Sequence, residues 1–172
     1  MLRFRFGTPD DLPALRQLVE RAYRGDTARR GWTHEADLLH DERTSDAELS
    51  DALTSPDMRV VLAEHMADGG EPALVGTLSL TRRDGGVAYL GMFCVDPVQQ
   101  AGGIGRALLH EAERVAIAAF AARSIEMTVI APRVDLIAWY ERRGYVQTGE
   151  RRPFPYALPV AFDMVVLERR IA

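Results

Sequence analysis

The stretch from Cys94 to Val115, CVDPVQQAGGIGRALLHEAERV, joins an apolar run to a helical pattern through a loop with three glycines in four positions. Glycine permits positive φ and lets another group approach the backbone closely. Amides at a helix N-terminus carry the positive end of its dipole, so the loop can present several N–H donors to phosphate groups. Arg106 adds a charged donor beside them. The stretch therefore predicts a phosphate-binding turn between a strand and a helix.

Apolar patterns on both sides of this loop predict the rest of the fold. A short strand from Phe4 and a helix capped by Thr8 come first, and three strands joined by Gly-bearing turns form an antiparallel meander before the loop. After it come a long helix, a strand, a short helix that Gly144 ends, and two final strands. One helix thus crosses between consecutive strands, which predicts an α+β domain with a mixed sheet. The later predicted strands are MRVVLAEHM (58–66), ALVGTLSLTRR (73–83), VAYLGMFCV (87–95), SIEMTVIAP (124–132), YVQTGERR (145–152) and FDMVVLERR (162–170).

Composition narrows the class of protein. A chain of 172 residues, 47% of them hydrophobic, is near the usual size of one domain, so we expect a single domain over 1–172. The net charge of −4 argues against a nucleic-acid partner. We see no signal-peptide core and no apolar run of spanning length, so we expect a cytoplasmic protein without a membrane partner. The histidines lack metal-ligand spacing, which predicts no metal.

Two familiar phosphate-binding loops fit these glycines poorly. A Walker loop needs Gly-Lys-Ser/Thr, whereas Gly105 is followed by Arg106 and Ala107, so both the phosphate lysine and the magnesium-binding hydroxyl are missing. A dinucleotide fingerprint that begins at Gly103 has Leu108 at its third small position, and no βα unit of the required kind surrounds it. A nucleotide-dependent kinase or ligase is therefore disfavoured.

The match that remains is Q-x-x-G-x-G, filled by Gln100, Gly103 and Gly105 between a strand and a long helix. Here the sequence resembles the GNAT superfamily of N-acetyltransferases. A second segment, LIAWYERRGY, resembles the late helix of that family, with Tyr140 four residues before Gly144. The resemblance implies a GNAT-type mixed, mostly antiparallel central sheet of about seven strands flanked by helices.

The resemblance also implies acetyl-CoA as co-substrate. In the family, main-chain amides of the loop grip the pyrophosphate, and the preceding strand, with a bulge, pairs its backbone with the pantetheine arm. The late-helix tyrosine lies beside the CoA sulfur, which makes Tyr140 the implied general acid. The implied cofactor-binding residues are Phe93, Cys94, Val95, Gln100, Ala101, Gly102, Gly103, Ile104, Gly105, Arg106 and Tyr140.

Two positions depart from the family pattern. Arg133 stands where members often have asparagine, and Gly91 and Met92 occupy the part of the strand where many place a glutamate as general base. A lysine-like amine has a pKa of about 10.4 and is protonated at pH 7, so it must lose a proton before it attacks. We therefore expect a base or a water chain that these motifs do not identify.

The polar segment GWTHEADLLHDE (31–42) concentrates acidic side chains and histidines beside Trp32. The simpler interpretation is a solvated helix start capped by Thr33. In the family this region flanks the acceptor cleft, and acidic groups suit a cationic substrate, so Glu35 is the candidate for acceptor contact and catalysis. The Pro-rich run RRPFPYALP (151–159) fits two descriptions equally: a wall of the acceptor site built from Phe154 and Tyr156, or a long hairpin connection.

Two functions of different classes follow. The first is an N-acetyltransferase that moves an acetyl group to a primary amine by direct attack, and its acceptor is a small molecule or a peptide amine. The second is a non-catalytic acyl-CoA-binding sensor or interaction module, which the missing strand glutamate favours. Cys94 fits a small, buried, inert residue better than an acyl-accepting nucleophile. The final strand, FDMVVLE, is expected to expose an apolar edge that pairs or packs across a two-fold axis in a homodimer.

Overall fold

A computed structural model describes residues 1–23, 44–66, 69–100, 102–154 and 162–172. In these ranges four α-helices and seven strands form, together with short 3₁₀ turns over Pro9–Asp11 and Pro97–Gln99. The helices are α1 (Leu12–Tyr23), α2 (Asp46–Thr54), α3 (Ile104–Phe120) and α4 (Val134–Glu141). The strands are β1 (Leu2–Phe6), β2 (Met58–His65), β3 (Ala73–Arg83), β4 (Val87–Val95), β5 (Ser124–Ile130), β6 (Val146–Arg152) and β7 (Met164–Arg170). None of the helices in the described ranges is long and apolar enough to cross a membrane.

All seven strands belong to one sheet in the order β1-β2-β3-β4-β5-β7-β6. Every neighbouring pair is antiparallel except β4 and β5, which run parallel because α3 crosses over between them. This arrangement confirms the expected mixed, mostly antiparallel sheet and the meander of β2, β3 and β4.

The expected exposed edge at the final strand is wrong. β7 lies inside the sheet, paired with β5 on one side and β6 on the other, and the two edge strands are β1 and β6. Val165, Val166 and Leu167 of β7 are buried. A continuous apolar run is typical of a strand covered on both faces, so the run in FDMVVLE marks an interior strand.

The sheet separates two apolar clusters, because side chains along a strand alternate between its faces. In β2, Val60 and Leu62 pack with α1 and α2, whereas Val61 and Ala63 pack with α3 and α4 on the opposite face. We call these the α1/α2 face and the α3/α4 face. The cleft described below has contributions from both faces.

β4 and β5 hydrogen-bond over only three residue pairs, from Val87 with Ser124 to Tyr89 with Glu126. Beyond Tyr89 both strands continue, β4 to Val95 and β5 to Ile130, without pairing with each other. The two strands therefore form a fork in the middle of the sheet, and the backbone edge of β4 inside the fork has no strand partner.

A charged cluster joins β1 to β2 and to the start of α1. The guanidinium of Arg5 donates two hydrogen bonds to Asp11, at 2.8 and 2.7 Å, and one to Glu64 at 2.8 Å. The hydrogen bonds from Arg5 lower the pKa of Asp11 to about 2. Asp11 also accepts the backbone N–H of Thr8 at 2.8 Å, which fixes the turn that leads into α1.

Replacing Asp11 with asparagine should lower the free energy of unfolding by about 1–2 kcal/mol at pH 7, because a charge-assisted pair is lost. The folded-state pKa of Asp11 lies below its ordinary value, so its contribution is present above pH 4 and declines as the pH falls towards 2. The difference between the free energies of unfolding of wild type and Asp11→Asn, measured with urea, should therefore shrink as the pH falls from 4 towards 2. Asp10→Asn, at the exposed neighbouring carboxylate, is the control and should change little; an equal loss for both variants would contradict the prediction.

Candidate active site

The fork between β4 and β5 opens into a cleft of about 800 Å³. Its walls come from the diverging strands, the glycine-rich turn before α3, the inner face of α4 and the end of α1. Leu90 and Tyr140 line it from the α3/α4 face, and Ala22 and Tyr23 from α1 on the other face. The cleft thus passes through the sheet at the place where the sheet hydrogen bonds are interrupted.

A β-bulge re-aims the part of β4 that lines this cleft. Cys94 is paired with Thr77, but Ser79, two residues further along β3, is paired with Gly91, so β4 contains one extra residue. The extra residue, Met92, has a φ of +50°, a conformation that costs a non-glycine residue roughly 1 kcal/mol.

The bulge reverses the inward and outward alternation of the strand. Before it, Leu90 packs on the α3/α4 face; after it, Phe93 and Val95 do so, and Cys94 turns to the α1/α2 face. Cys94 is buried there, as expected from the sequence. The hydroxyl of Tyr23, at the end of α1, donates to the carbonyl oxygen of Phe93 and so ties α1 to the bulge.

The glycine-rich turn presents backbone amides at the start of α3. Gly103 has a φ of +81° and caps the helix, and a Cβ placed on it would meet no atom within 4 Å. The first hydrogen bond within the helix runs from Ala107 N to Gly103 O at 3.0 Å, which leaves the earlier N–H groups outside the helical ladder. The helix dipole adds positive potential at the same point. The turn therefore has N–H groups and a positive potential that can accommodate an anion.

Gln100 shows an unfilled hydrogen-bonding capacity next to this turn. Its side-chain Nε2 donates to Val95 O at 3.2 Å, while its Oε1 is buried and has no partner among the described residues. Buried polar atoms are almost always paired, so Oε1 is an acceptor still available to a donor in the cleft. Arg106 is exposed at the rim, where no described residue forms an ion pair or hydrogen bond with its side chain.

Tyr140 lies at the centre of an aromatic group on the α3/α4 face. Its ring meets Trp139 edge-on with centroids 5.1 Å apart, and it is 6.1 Å from the ring of Phe93. The side chain is 4% exposed and lines the cleft, and its hydroxyl forms no hydrogen bond with a described residue. Burial raises the pKa of the Tyr140 phenol, and the positive charge of Arg133 opposes that rise. The phenol therefore keeps its proton at neutral pH.

The charged groups along the cleft are cationic. Arg106, Arg133, Arg142 and Arg143 line it, and no aspartate, glutamate or histidine does so among the described residues. The guanidinium of Arg143 stacks on the ring of Trp139 at 3.6 Å and donates to Trp139 O at 2.7 Å. The cleft therefore has positive potential suited to an anionic ligand. In the described ranges no cluster of histidine, cysteine, aspartate or glutamate is arranged to hold a metal ion.

The structure brings most of the expected donor-site residues together. Phe93, Cys94, Val95, Gln100, Gly102, Gly103, Gly105, Arg106 and Tyr140 all line the cleft. Ile104 points its side chain into the core, so it offers only its backbone amide. Phe154 lines the cleft as well, whereas Glu35, Ala101 and Tyr156 lie outside the described residues, and their expected roles stay predictions.

Sequence reasoning missed Tyr23, Tyr89 and Thr128, which line the cleft, and Trp139 with its stacked Arg143. No local motif surrounds the first three, because they meet only after β4, β5 and α1 have packed. The pair Arg142 and Arg143 does have a local indication, since basic residues follow α4 at its C-terminal end.

A sequence model described as the acetyltransferase (GNAT) family matches residues 12–145. The chain belongs to this family. As a GNAT protein it shares its fold with ribosomal-protein-S18-alanine N-acetyltransferase from Escherichia coli, which is 18% identical with a TM-score of 0.74, over 100% of this chain and 95% of that one. Spermidine N-acetyltransferase from Vibrio cholerae, solved with CoA and spermine, is 17% identical with a TM-score of 0.71, over 98% and 95%.

A third GNAT structure, an acetyltransferase from Streptococcus pneumoniae, is 19% identical with a TM-score of 0.69 and covers 100% of both chains. No curated protein matches the sequence at a significant level. At these identities the solved structures establish the common fold, while the family membership rests on the sequence match across most of the chain.

Removing the hydroxyl of Tyr140 should leave this GNAT fold intact. The hydroxyl makes no hydrogen bond with described residues, so Tyr140→Phe should change the free energy of unfolding by less than about 1 kcal/mol. Tyr140→Ala deletes the packed ring and should cost about 3–5 kcal/mol. Urea unfolding of the three proteins measures both values. A large fall in the free energy of unfolding of Tyr140→Phe would mean that the hydroxyl of Tyr140 stabilises the fold.

Proposed function

We propose that this GNAT protein transfers an acetyl group from acetyl-CoA to a primary amine by direct attack, with Tyr140 as the general acid. The observation that carries the proposal is the meeting in one cleft of three features: the unpaired edge of β4, the amide-bearing turn at the start of α3, and the phenol of Tyr140. Each has a task in holding a thioester or in assisting its cleavage.

The cleft residues fit the donor at two places. The exposed amides after Gly103 and the guanidinium of Arg106 beside them match a pyrophosphate. Backbone amides and a guanidinium both bind anions, and neither has to move in the fold to do so. The edge of β4 between Phe93 and Val95 has no strand partner, although Tyr23 and Gln100 donate to the carbonyls of Phe93 and Val95. Its remaining backbone groups and the unpartnered Oε1 of Gln100 match the amide groups of an extended arm. Acetyl-CoA, when bound, supplies an activated acetyl group as a thioester.

Tyr140 supplies the proton that the leaving sulfur needs. Because burial raises its pKa, the phenol is protonated over the whole neutral range. Proton transfer from a phenol to a thiolate of pKa about 8.5 is uphill by at least about 2 kcal/mol, and it is coupled to cleavage of the C–S bond. The positive charges of Arg133 and Arg143 lower the cost of the phenolate that is left.

The acceptor is the open part of the proposal. The similar structures include proteins named for spermidine and for a ribosomal-protein alanine, so small amines and peptide amino termini are both candidates. Gly91 and Met92 leave β4 without a carboxylate beside the cleft, and this favours the rival function of a non-catalytic acyl-CoA sensor. Glu35 stays a prediction for acceptor contact.

A screen of amines with acetyl-CoA separates the two functions. The panel should contain alkylamines, polyamines, amino acids and short peptides, and free thiol release should be followed at each. Amine-dependent thiol release with formation of the N-acetyl product supports transfer. Tight binding of acetyl-CoA without thiol release for any amine would support the sensor and overturn the transferase.

Tyr140→Phe should lower kcat by about 100-fold, because general acid catalysis is lost, while the KM for acetyl-CoA changes little. Tyr145→Phe is the matched control. The ring of Tyr145 lies 5.8 Å from that of Tyr140, but its hydroxyl is buried without a described partner and does not line the cleft. Its kcat should stay near wild type. Equal kcat values for Tyr140→Phe and wild type would remove Tyr140 from the chemistry.

Gly103→Ala should weaken CoA binding by about tenfold, because a residue with a Cβ resists positive φ and the amides that follow it turn away. Gly85→Ala is the control, since Gly85 has a φ of +75° and open space in the turn between β3 and β4. Both variants should lose similar stability, about 1 kcal/mol. Calorimetric titration with CoA should show a loss of affinity for Gly103→Ala and none for Gly85→Ala. An unchanged affinity of Gly103→Ala would mean that the turn does not hold the donor.

A further inference from the structure

Two hydroxyl groups meet across the fork where β4 and β5 part. Tyr89 is the last residue of β4 that pairs with β5, and its Oη lies 2.6 Å from Oγ1 of Thr128 on β5. Both residues line the cleft. The pair therefore bridges the fork at its closed end, in contact with the space that the substrates would share.

This hydroxyl pair lies on the opposite face of the sheet from Tyr140. Leu90 and Met127 pack into the cluster that contains Tyr140, so their neighbours Tyr89 and Thr128 point towards the α1/α2 face. The cleft passes between the strands and reaches both groups. A group that attacks from one face and a group that leaves towards the other would thus each have a hydroxyl on its own side.

The ring of Tyr89 fills the space beside Gly91. A Cβ placed on Gly91 would lie 3.6 Å from Cε1 of Tyr89 and 3.3 Å from Oγ of Ser79. The guanidinium of Arg83 lies 4.3 Å from the centroid of the same ring. The phenol is therefore held over a position where β4 has no side chain of its own, and its oxygen shares a hydrogen bond with Oγ1 of Thr128 in which either hydroxyl can be the donor.

Apart from the buried thiol of Cys94, the side-chain groups on this face of the described lining that can both accept and release a proton are hydroxyls. The described residues that line the cleft include no carboxylate and no histidine, and their hydroxyls on the α1/α2 face belong to Tyr23, Tyr89 and Thr128. The hydroxyl of Tyr23 is directed to the carbonyl of Phe93. Tyr89 and Thr128 are left as a linked pair of atoms that can accept one proton and release another.

We propose that Tyr89 and Thr128 receive the acceptor amine and relay its proton to water. This assignment rests on the proposed acetyl transfer. The acceptor enters as its neutral amine, which has already lost the ammonium proton to solvent, and as its nitrogen bonds to the thioester carbonyl carbon one N–H proton passes to Oη of Tyr89. The phenol proton passes to Oγ1 of Thr128, whose own hydroxyl proton goes to a water molecule. The C–S bond breaks and the sulfur takes the proton of Tyr140.

The relay makes Tyr89 a catalytic residue, since its oxygen contacts the attacking nitrogen, and it makes Thr128 the next link. Both hydroxyls remain neutral after the transfer, because each loses one proton as it gains another. This arrangement supplies the proton path that a strand carboxylate would otherwise provide, and it needs no ionised group on the α1/α2 face of the cleft.

Steady-state kinetics on the full chain test the relay with the most active amine of the screen. Tyr89→Phe should lower kcat about 100-fold, and Thr128→Val about tenfold, because each removes one link of the proton path. The dissociation constant of CoA should stay within about twofold in both, since the donor contacts lie elsewhere. Thr128→Ser restores a hydroxyl at the same position and should recover most of the lost kcat.

Thr148→Val is the matched control, because it removes a hydroxyl from edge strand β6 at a residue outside the cleft lining, and its kcat should equal that of wild type. Thermal melting accompanies every variant. A kcat for Tyr89→Phe within twofold of wild type overturns the relay alone. The relay is also overturned if kcat falls equally in Thr128→Val and Thr128→Ser and both variants show a matching fall in melting temperature. A wild-type chain that binds acetyl-CoA but acetylates no amine overturns the proposed function and the relay together.

Discussion

The loss of hydrogen bonding between β4 and β5 after Tyr89 is the constraint on which the site depends. Unpaired backbone groups in a buried sheet are costly, so strands that part inside a sheet need other partners for their N–H and C=O groups. Here the hydroxyl of Tyr23 donates to the carbonyl of Phe93, the side-chain amide of Gln100 donates to the carbonyl of Val95, and the cleft lies along that part of β4. The fork therefore lacks the hydrogen bonds between strands that the rest of the sheet has, and it is the place where an extended ligand can supply them.

The fork persists because the elements around it hold it open. α3 packs its apolar face, including Leu108 and Ala112, under β3 and β4, and the same helix begins at the glycine-rich turn. α4, on the same face of the sheet, places Tyr140 and Trp139 in the lining of the cleft. Core packing and the functional surface thus use the same helices, so the positions of the amides and the phenol are set by burial of apolar faces.

The bulge at Met92 explains how one short strand serves two faces. An uninterrupted strand would send Leu90 and Cys94 to the same side, yet the extra residue sends Phe93 and Val95 to the aromatic side with Leu90 and turns Cys94 to the other. The re-aimed backbone lies next to the carbonyl that Tyr23 binds. Local strain, side-chain direction and exposure of the backbone are consequences of a single added residue.

Local pattern was sufficient for most of the elements and for the glycine-rich turn before α3. Alternating periodicity predicted β2 to β5 nearly to the residue, and helical periodicity predicted a long helix after the glycines. The glycines and Tyr140 pointed to the correct family. All of these patterns lie in residues that are close together along the chain. The order of strands was beyond that pattern: β7 lies between β5 and β6, and its apolar run was mistaken for an edge. The meeting of Tyr89 with Thr128, and of Tyr23 with Phe93, joins residues 39 and 70 positions apart. Such contacts arise only when the fork, the bulge and the helices are packed together, because chain direction and register, rather than residue type, bring those atoms within reach.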